Sequence, residues 1–129
     1  MQPPETHVDL LERPIFAHLA TVRADGAPQA NPMWFLWDAG EGVVKLTHTK
    51  SRHNYRYIQR EPRVALSIAD PDDPYRYLQV RGVVERVDDD PTGGFYNVLQ
   101  QRYRGTTSDV PDRDVRVILT VRPTAFKAR

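Results

Sequence analysis

Hydrophobic and polar residues alternate with a period of two over most of the chain, the pattern of half-buried strands. Phe16 to Arg23 (FAHLATVR) reads as a first strand with apolar residues on both pleat faces. Ala24-Asp25-Gly26-Ala27 supplies a turn, and Pro28 to Asp38 (PQANPMWFLWD) runs on as one long aromatic strand, so the two are expected to pair antiparallel. A second turn, Asp38 to Gly42, leads to Val43–His48, with Val44 and Leu46 facing one way. Further on, bulky Val64, Leu66 and Ile68 alternate with small Ala65, Ser67 and Ala69, leaving one face that a neighbour can approach closely. Tyr75 to Val87 is a long strand that sets Leu78, Val80, Gly82 and Val84 against Gln79, Arg81 and Glu85, with a bend expected at Gly82. Val115 to Val121 is the last strand.

Helical spacing interrupts this pattern in three places. Glu5 to Glu12 predicts a short helix stopped by Pro14. Ser51 to Arg60 predicts a second, with Ser51 as N-cap, Tyr55 and Ile58 on its apolar face, and Glu61-Pro62 ending it. Asp90-Pro91 predicts the cap and first turn of a third, running to Tyr103 with Phe95, Val98, Leu99 and Arg102 at helical spacing. About six antiparallel strands joined by short turns, with two or three helices, predict a mainly β fold, a small β-barrel with flanking helices. One domain spanning 1–129 is expected, with 1–4 and 124–129 as loose termini.

With 129 residues and no cysteine, the fold must rest on packing, and disulfides and thiolate chemistry are excluded. No long apolar run is present, so a soluble, cytoplasmic protein without membrane partners is expected. The net charge of +1 argues against a nucleic-acid partner and makes any anion site a local affair. Arginine supplies 15 of the 18 basic residues, a skew that suggests a GC-rich source genome.

Candidate chemistry concentrates in THTKSRHNYRYIQREP, residues 47–62. In a helix Arg52, Arg56 and Arg60 share one face, and the helix start offers free N–H groups beside the Thr49 and Ser51 hydroxyls. That combination suits a phosphate; a solvated basic face is the alternative. Only Arg52, Lys50 and Thr47 sit close enough to the helix start to be direct ligands. Gln29 and Asn31, in mid-strand beside Pro32 and Met33, either bond neighbouring backbone or meet a planar heteroaromatic ligand. Tyr75, Arg76 and Tyr77 follow a loop that can bring them to the barrel rim. The four histidines lack metal-ligand spacing, no metal site is expected, and no GxSxG, P-loop or GxGxxG occurs. The aspartates cluster in loops such as Asp88-Asp89-Asp90, as solvated turn residues do.

The order LATVRADGAPQANPMWFLWD, then VVKLTHTKSRHNYRYIQREPRVALSIADPDDPYRYLQVRGVVE, resembles the pyridoxamine 5′-phosphate oxidase-like, FMN-binding split β-barrel superfamily. Within it the sequence is most similar to the flavin/deazaflavin oxidoreductase branch that uses coenzyme F420. The resemblance runs from about Ile15 to Tyr103, with the strand Val115–Val121 also in place. It implies a homodimer with two cofactor sites at the subunit interface and hydride transfer to or from an unsaturated small molecule. Gln29, Asn31, Pro32 and Met33 would flank the ring system; Thr47, Thr49, Lys50, Ser51 and Arg52 would form the phosphate end. Arg56 would reach a charged tail or solvent, and Tyr75 and Tyr77 would close over the site. Asn54, also within this cofactor-binding segment, stands where related sequences commonly carry lysine. The arginine skew, read as an actinobacterial source, favours the deazaflavin over FMN. An FMN protein of the oxidase type, or a non-catalytic carrier or haem-binding split barrel, are the alternative readings. The bulky run Met33 to Trp37 exceeds what one small barrel absorbs, which independently predicts a second copy.

Overall fold

The computed structural model describes residues 1–129. Seven strands form one antiparallel sheet: β1 (Ala17–Val22), β2 (Pro28–Met33), β3 (Leu36–Asp38), β4 (Val43–Thr49), β5 (Arg63–Asp70), β6 (Asp73–Asp89) and β7 (Arg116–Ala128). Their order across the sheet is β2-β1-β5-β6-β7-β4-β3. Since β2 and β3 lie at opposite edges yet are joined by only Trp34 and Phe35, the sheet must roll into a barrel. Three helices flank it: α1 (Val8–Glu12), α2 (His53–Arg60) and α3 (Gly94–Arg104). None is long and apolar enough to cross a membrane. The inward positions predicted from alternation fill the core, with Leu19, Leu46, Leu66, Ile68, Leu78, Val80, Leu119 and Val121 at most 1% exposed.

Three local expectations are corrected. Pro28 to Asp38 is not one strand, because it breaks at Trp34-Phe35. There the Phe35 N–H donates to Tyr103 Oη (3.0 Å) and its carbonyl accepts from Arg102 Nε (3.1 Å), so α3 side chains satisfy backbone groups that a strand neighbour would have paired. The segment from 124 onward is not a loose end: β7 continues to Ala128 and pairs with β6 from Asp89↔Val117 to Leu78↔Ala128, which makes seven strands where six were counted. Ser51 is not the cap of α2, which begins at His53 with Arg52 in extended conformation as its N-cap; the Ser51 hydroxyl instead lies 3.0 Å from that of Thr49.

The bend expected at Gly82 is present as a register shift between Arg81 and Gly82. A side chain is excluded there, since a Cβ would lie 2.5 Å from the Arg122 carbonyl oxygen. The third helix does not start at Asp90-Pro91: α3 begins at Gly94 with Gly93 (φ +70°, against Val110) as its N-cap residue, and the Asp90 carboxylate reaches across that loop to accept from the N–H groups of Phe95 (3.2 Å) and Tyr96 (3.1 Å). Arg76 bridges Asp9 of α1 and Asp70 at the end of β5, tying the N-terminal helix to the β5–β6 hairpin.

Candidate functional site

A cleft of about 240 Å³ opens where the ends of β2, β4 and β7 meet α3. Pro32 and Met33 of β2, with Trp34 beyond it, form one wall. Thr47 and His48 of β4 face them together with Arg52, which precedes α2. Tyr96 of α3 and Arg116 at the start of β7 complete the opposite side, and Phe16, 55% exposed, stands at the mouth.

The two ends differ in chemistry. At the aromatic end Trp34 stacks on Tyr103 with centroids 5.0 Å apart and an interplanar angle of 12°, and Tyr96 packs 6.1 Å from Trp34. Such a surface accepts a planar ring. At the other end lie two guanidinium groups. Arg52 is exposed, whereas Arg116 is held over the Tyr96 ring at 4.3 Å and bonded by Nε and Nη2 to the Asp112 carboxylate (2.9 and 3.1 Å). Arg116 Nη1 points to Thr47 Oγ1 at 3.4 Å.

His48 sits between these groups, 1% exposed, and neither ring nitrogen has a hydrogen-bond partner. Burial, with the nearby positive charge of Arg52, lowers its pKa to about 4 against the small opposing effect of Asn54. The imidazole is therefore neutral near pH 7.

Of the residues singled out from the sequence, Pro32, Met33, Thr47 and Arg52 line this cleft. Gln29 and Asn31 share the inward pleat face with Met33 but lie outside the cleft, bonded to each other at 3.2 Å. Asn54 is buried in the first turn of α2 beside His48, and Thr49 is buried beneath Ser51. Lys50 is turned away and paired with Asp89 at 2.9 Å. Arg56 is exposed on α2 outside the cleft, and Tyr75 (84% exposed) and Tyr77 belong to the β6 start. Phe16, Trp34, His48, Tyr96 and Arg116 are cleft residues that sequence reasoning missed. Trp34 was visible within the aromatic run, but no local motif marks Arg116 or His48; they meet because β4 and β7 pair in the register Thr49↔Arg116 and His48↔Val117.

The rolled seven-stranded antiparallel sheet with its flanking helices is a split β-barrel. The family described as pyridoxamine 5′-phosphate oxidase matches residues 3–129, and the chain belongs to it. It is similar to a solved structure named F420 reductase, at 54% identity over 96% of this chain and 98% of that one, with a TM-score of 0.91. The conserved hypothetical protein Rv2991 from Mycobacterium tuberculosis (22% identity, 99% and 85% of the two chains, TM-score 0.77) has the same fold. So does General Stress Protein 26 from Bacillus anthracis (20% identity, 96% and 91%, TM-score 0.71). A search of the curated proteins returned no match.

Proposed function

We propose that the protein is an oxidoreductase dependent on reduced coenzyme F420, passing a hydride between the deazaflavin and an unsaturated small molecule. The observation that carries this reading is the cleft itself, with Arg52 and Arg116 at one end and Trp34 and Tyr96 at the other. Its donors fit a group that joins a planar ring to a phosphate. Similarity at 54% identity to a protein named F420 reductase supports the choice of ring.

When bound, the reduced deazaflavin would supply the hydride, so that the protein needs no nucleophile or acid–base pair of its own. Arg52 and Thr47 would hold the phosphate end, with the Thr49–Ser51 hydroxyl pair completing the turn. Pro32 and Met33 would press against the ring and keep water from it, and Gln29 and Asn31 would continue the same pleat face toward its polar edge. Arg56 is available to a charged tail. Lys50, occupied by Asp89, is expected to add little, and Asn54 adds no charge.

We further infer a homodimer. The outer face of β1 and β5 carries Ala20, Val22 and Ala65, which with Pro28 and Val83 line a shallow cleft of about 510 Å³ edged by Arg63 and Arg81. A small-residue sheet face of this kind accepts close approach of a second chain. Tyr75 and Tyr77, which do not reach the cleft of their own chain, would then be free to close over a site across the interface. Sedimentation at micromolar concentration tests this: a monomer would refute it.

The same cationic end would accept the phosphate of FMN, so the FMN reading differs in the ring alone. Parallel fluorescence titrations with F420 and FMN, followed by oxidation of the reduced F420 with a panel of conjugated acceptors, separate the readings. Tighter F420 binding with turnover supports the proposal. Preference for FMN refutes it, and tight binding without turnover by any acceptor would indicate a carrier.

A further inference from the structure

We propose that Arg116, delivered by β7 and not by the β4–α2 turn, is the partner of Arg52 in a two-cation phosphate site, with the Thr47 hydroxyl as a further donor to the same anion. The inference rests on the proposed function for the identity of the cofactor whose phosphate is held, but its geometry concerns the anion alone.

Three observations converge. The cleft lining carries two guanidinium groups, those of Arg52 and Arg116, whereas Lys50 lies outside it, paired with Asp89 at 2.9 Å, and Asn54 is neutral and buried. Arg116 is preorganised: Asp112 takes Nε and Nη2, the Tyr96 ring lies 4.3 Å beneath, and its side chain is only 14% exposed. A guanidinium fixed in this way gives up little rotamer freedom on binding. Nη1 remains on the cleft side next to Thr47 Oγ1 at 3.4 Å; with that oxygen accepting, the hydroxyl proton is free to donate to the same anion. Arg52, Thr47 and Arg116 thus line one cleft with donors drawn from two separate stretches of chain.

The test compares wild type, R116Q and R116K, titrated by tryptophan fluorescence with F420, FMN, riboflavin and inorganic pyrophosphate. Riboflavin carries the ring of FMN without its phosphate, so it separates a lost phosphate contact from general damage to the cleft. R116Q should weaken F420, FMN and pyrophosphate about tenfold or more, should leave riboflavin within about twofold, and should flatten the dependence of affinity on salt. R116K should recover part of the loss, since it restores charge but cannot hold the Asp112 fork. Thermal melts check the fold, and if R116Q is unfolded, R116K and D112N, which release the guanidinium or its replacement from its fixed position, carry the comparison.

If wild type binds a phosphorylated cofactor and R116Q binds it equally well, the inference falls while the proposed function stands. If wild type binds neither F420 nor FMN but binds pyrophosphate through Arg116, the inference stands and the cofactor reading falls. A loss of riboflavin as large as that of FMN would reduce Arg116 to a packing residue and overturn the inference. Failure of every probe to bind wild type overturns both.

Discussion

Acidification should destabilise this protein through one residue before its carboxylates titrate. His48 is 1% exposed and its pKa falls from 6.5 to about 4, because burial penalises the imidazolium and Arg52 and Arg116 repel it. The unfolded chain takes up a proton at about pH 6.5, while the folded chain resists until about pH 4. Stability is therefore whole above pH 6.5 and falls as pH drops toward 4, since the unfolded state binds the extra proton in that window. The gap corresponds to about 3 kcal/mol in total, of which about 2 kcal/mol is lost by pH 5. Carboxylates such as Asp38 and Asp9, held below their ordinary values by the Glu41 backbone N–H and by Arg76 respectively, lose their stabilisation only at lower pH. Urea denaturation at pH 7 and pH 5 of wild type and H48Q measures the difference. Glutamine does not titrate, so H48Q should lose about 2 kcal/mol less than wild type between the two pH values, whatever its absolute stability. Equal losses in the two proteins would refute the assignment of His48 as a buried neutral imidazole.

Three further outcomes are expected. G82A places a Cβ 2.5 Å from the Arg122 carbonyl and 2.8 Å from Val121 Cγ1, so the β6–β7 bulge must shift; calorimetry should show a loss of about 2 kcal/mol or more, and an unchanged melting temperature would mean the bulge is soft. Y103F removes the acceptor of the Phe35 N–H and the donor to the Ile15 carbonyl at the point where β2 crosses to β3; a loss of about 1–3 kcal/mol in chemical denaturation is expected. K50Q breaks an exposed pair with Asp89 and should change neither stability by more than about 1 kcal/mol nor cofactor affinity more than about twofold, whereas R52Q should weaken the affinity about tenfold. Equal effects of K50Q and R52Q in the titration would contradict the cleft described above.

The strand pattern was legible wherever burial alternated, as in β5, where Val64, Leu66 and Ile68 face the core. It failed at Trp34-Phe35 because the groups that end β2 lie on α3, 67 and 68 residues away in sequence. The last strand was expected to end at Val121, yet β7 runs on through Pro123, which faces Gly82 at a bulge, where the missing N–H is tolerated. The candidate site was half visible. Thr47 and Arg52 belong to one contiguous turn and could be read locally; His48 and Arg116 meet only through the β4–β7 register, which no spacing rule encodes. The pairing of Lys50 was not legible, because composition gives a charge but not its partner, and Asp89 is supplied by β6.

The central claim is that this cleft holds a phosphorylated deazaflavin. It is tested most directly by titrating the purified protein with coenzyme F420 and, in parallel, with FMN, following fluorescence at fixed salt. The account predicts saturable binding of both with F420 the tighter, and oxidation of bound reduced F420 by at least one conjugated acceptor. Tighter binding of FMN, or no saturable binding of F420 at all, would contradict it.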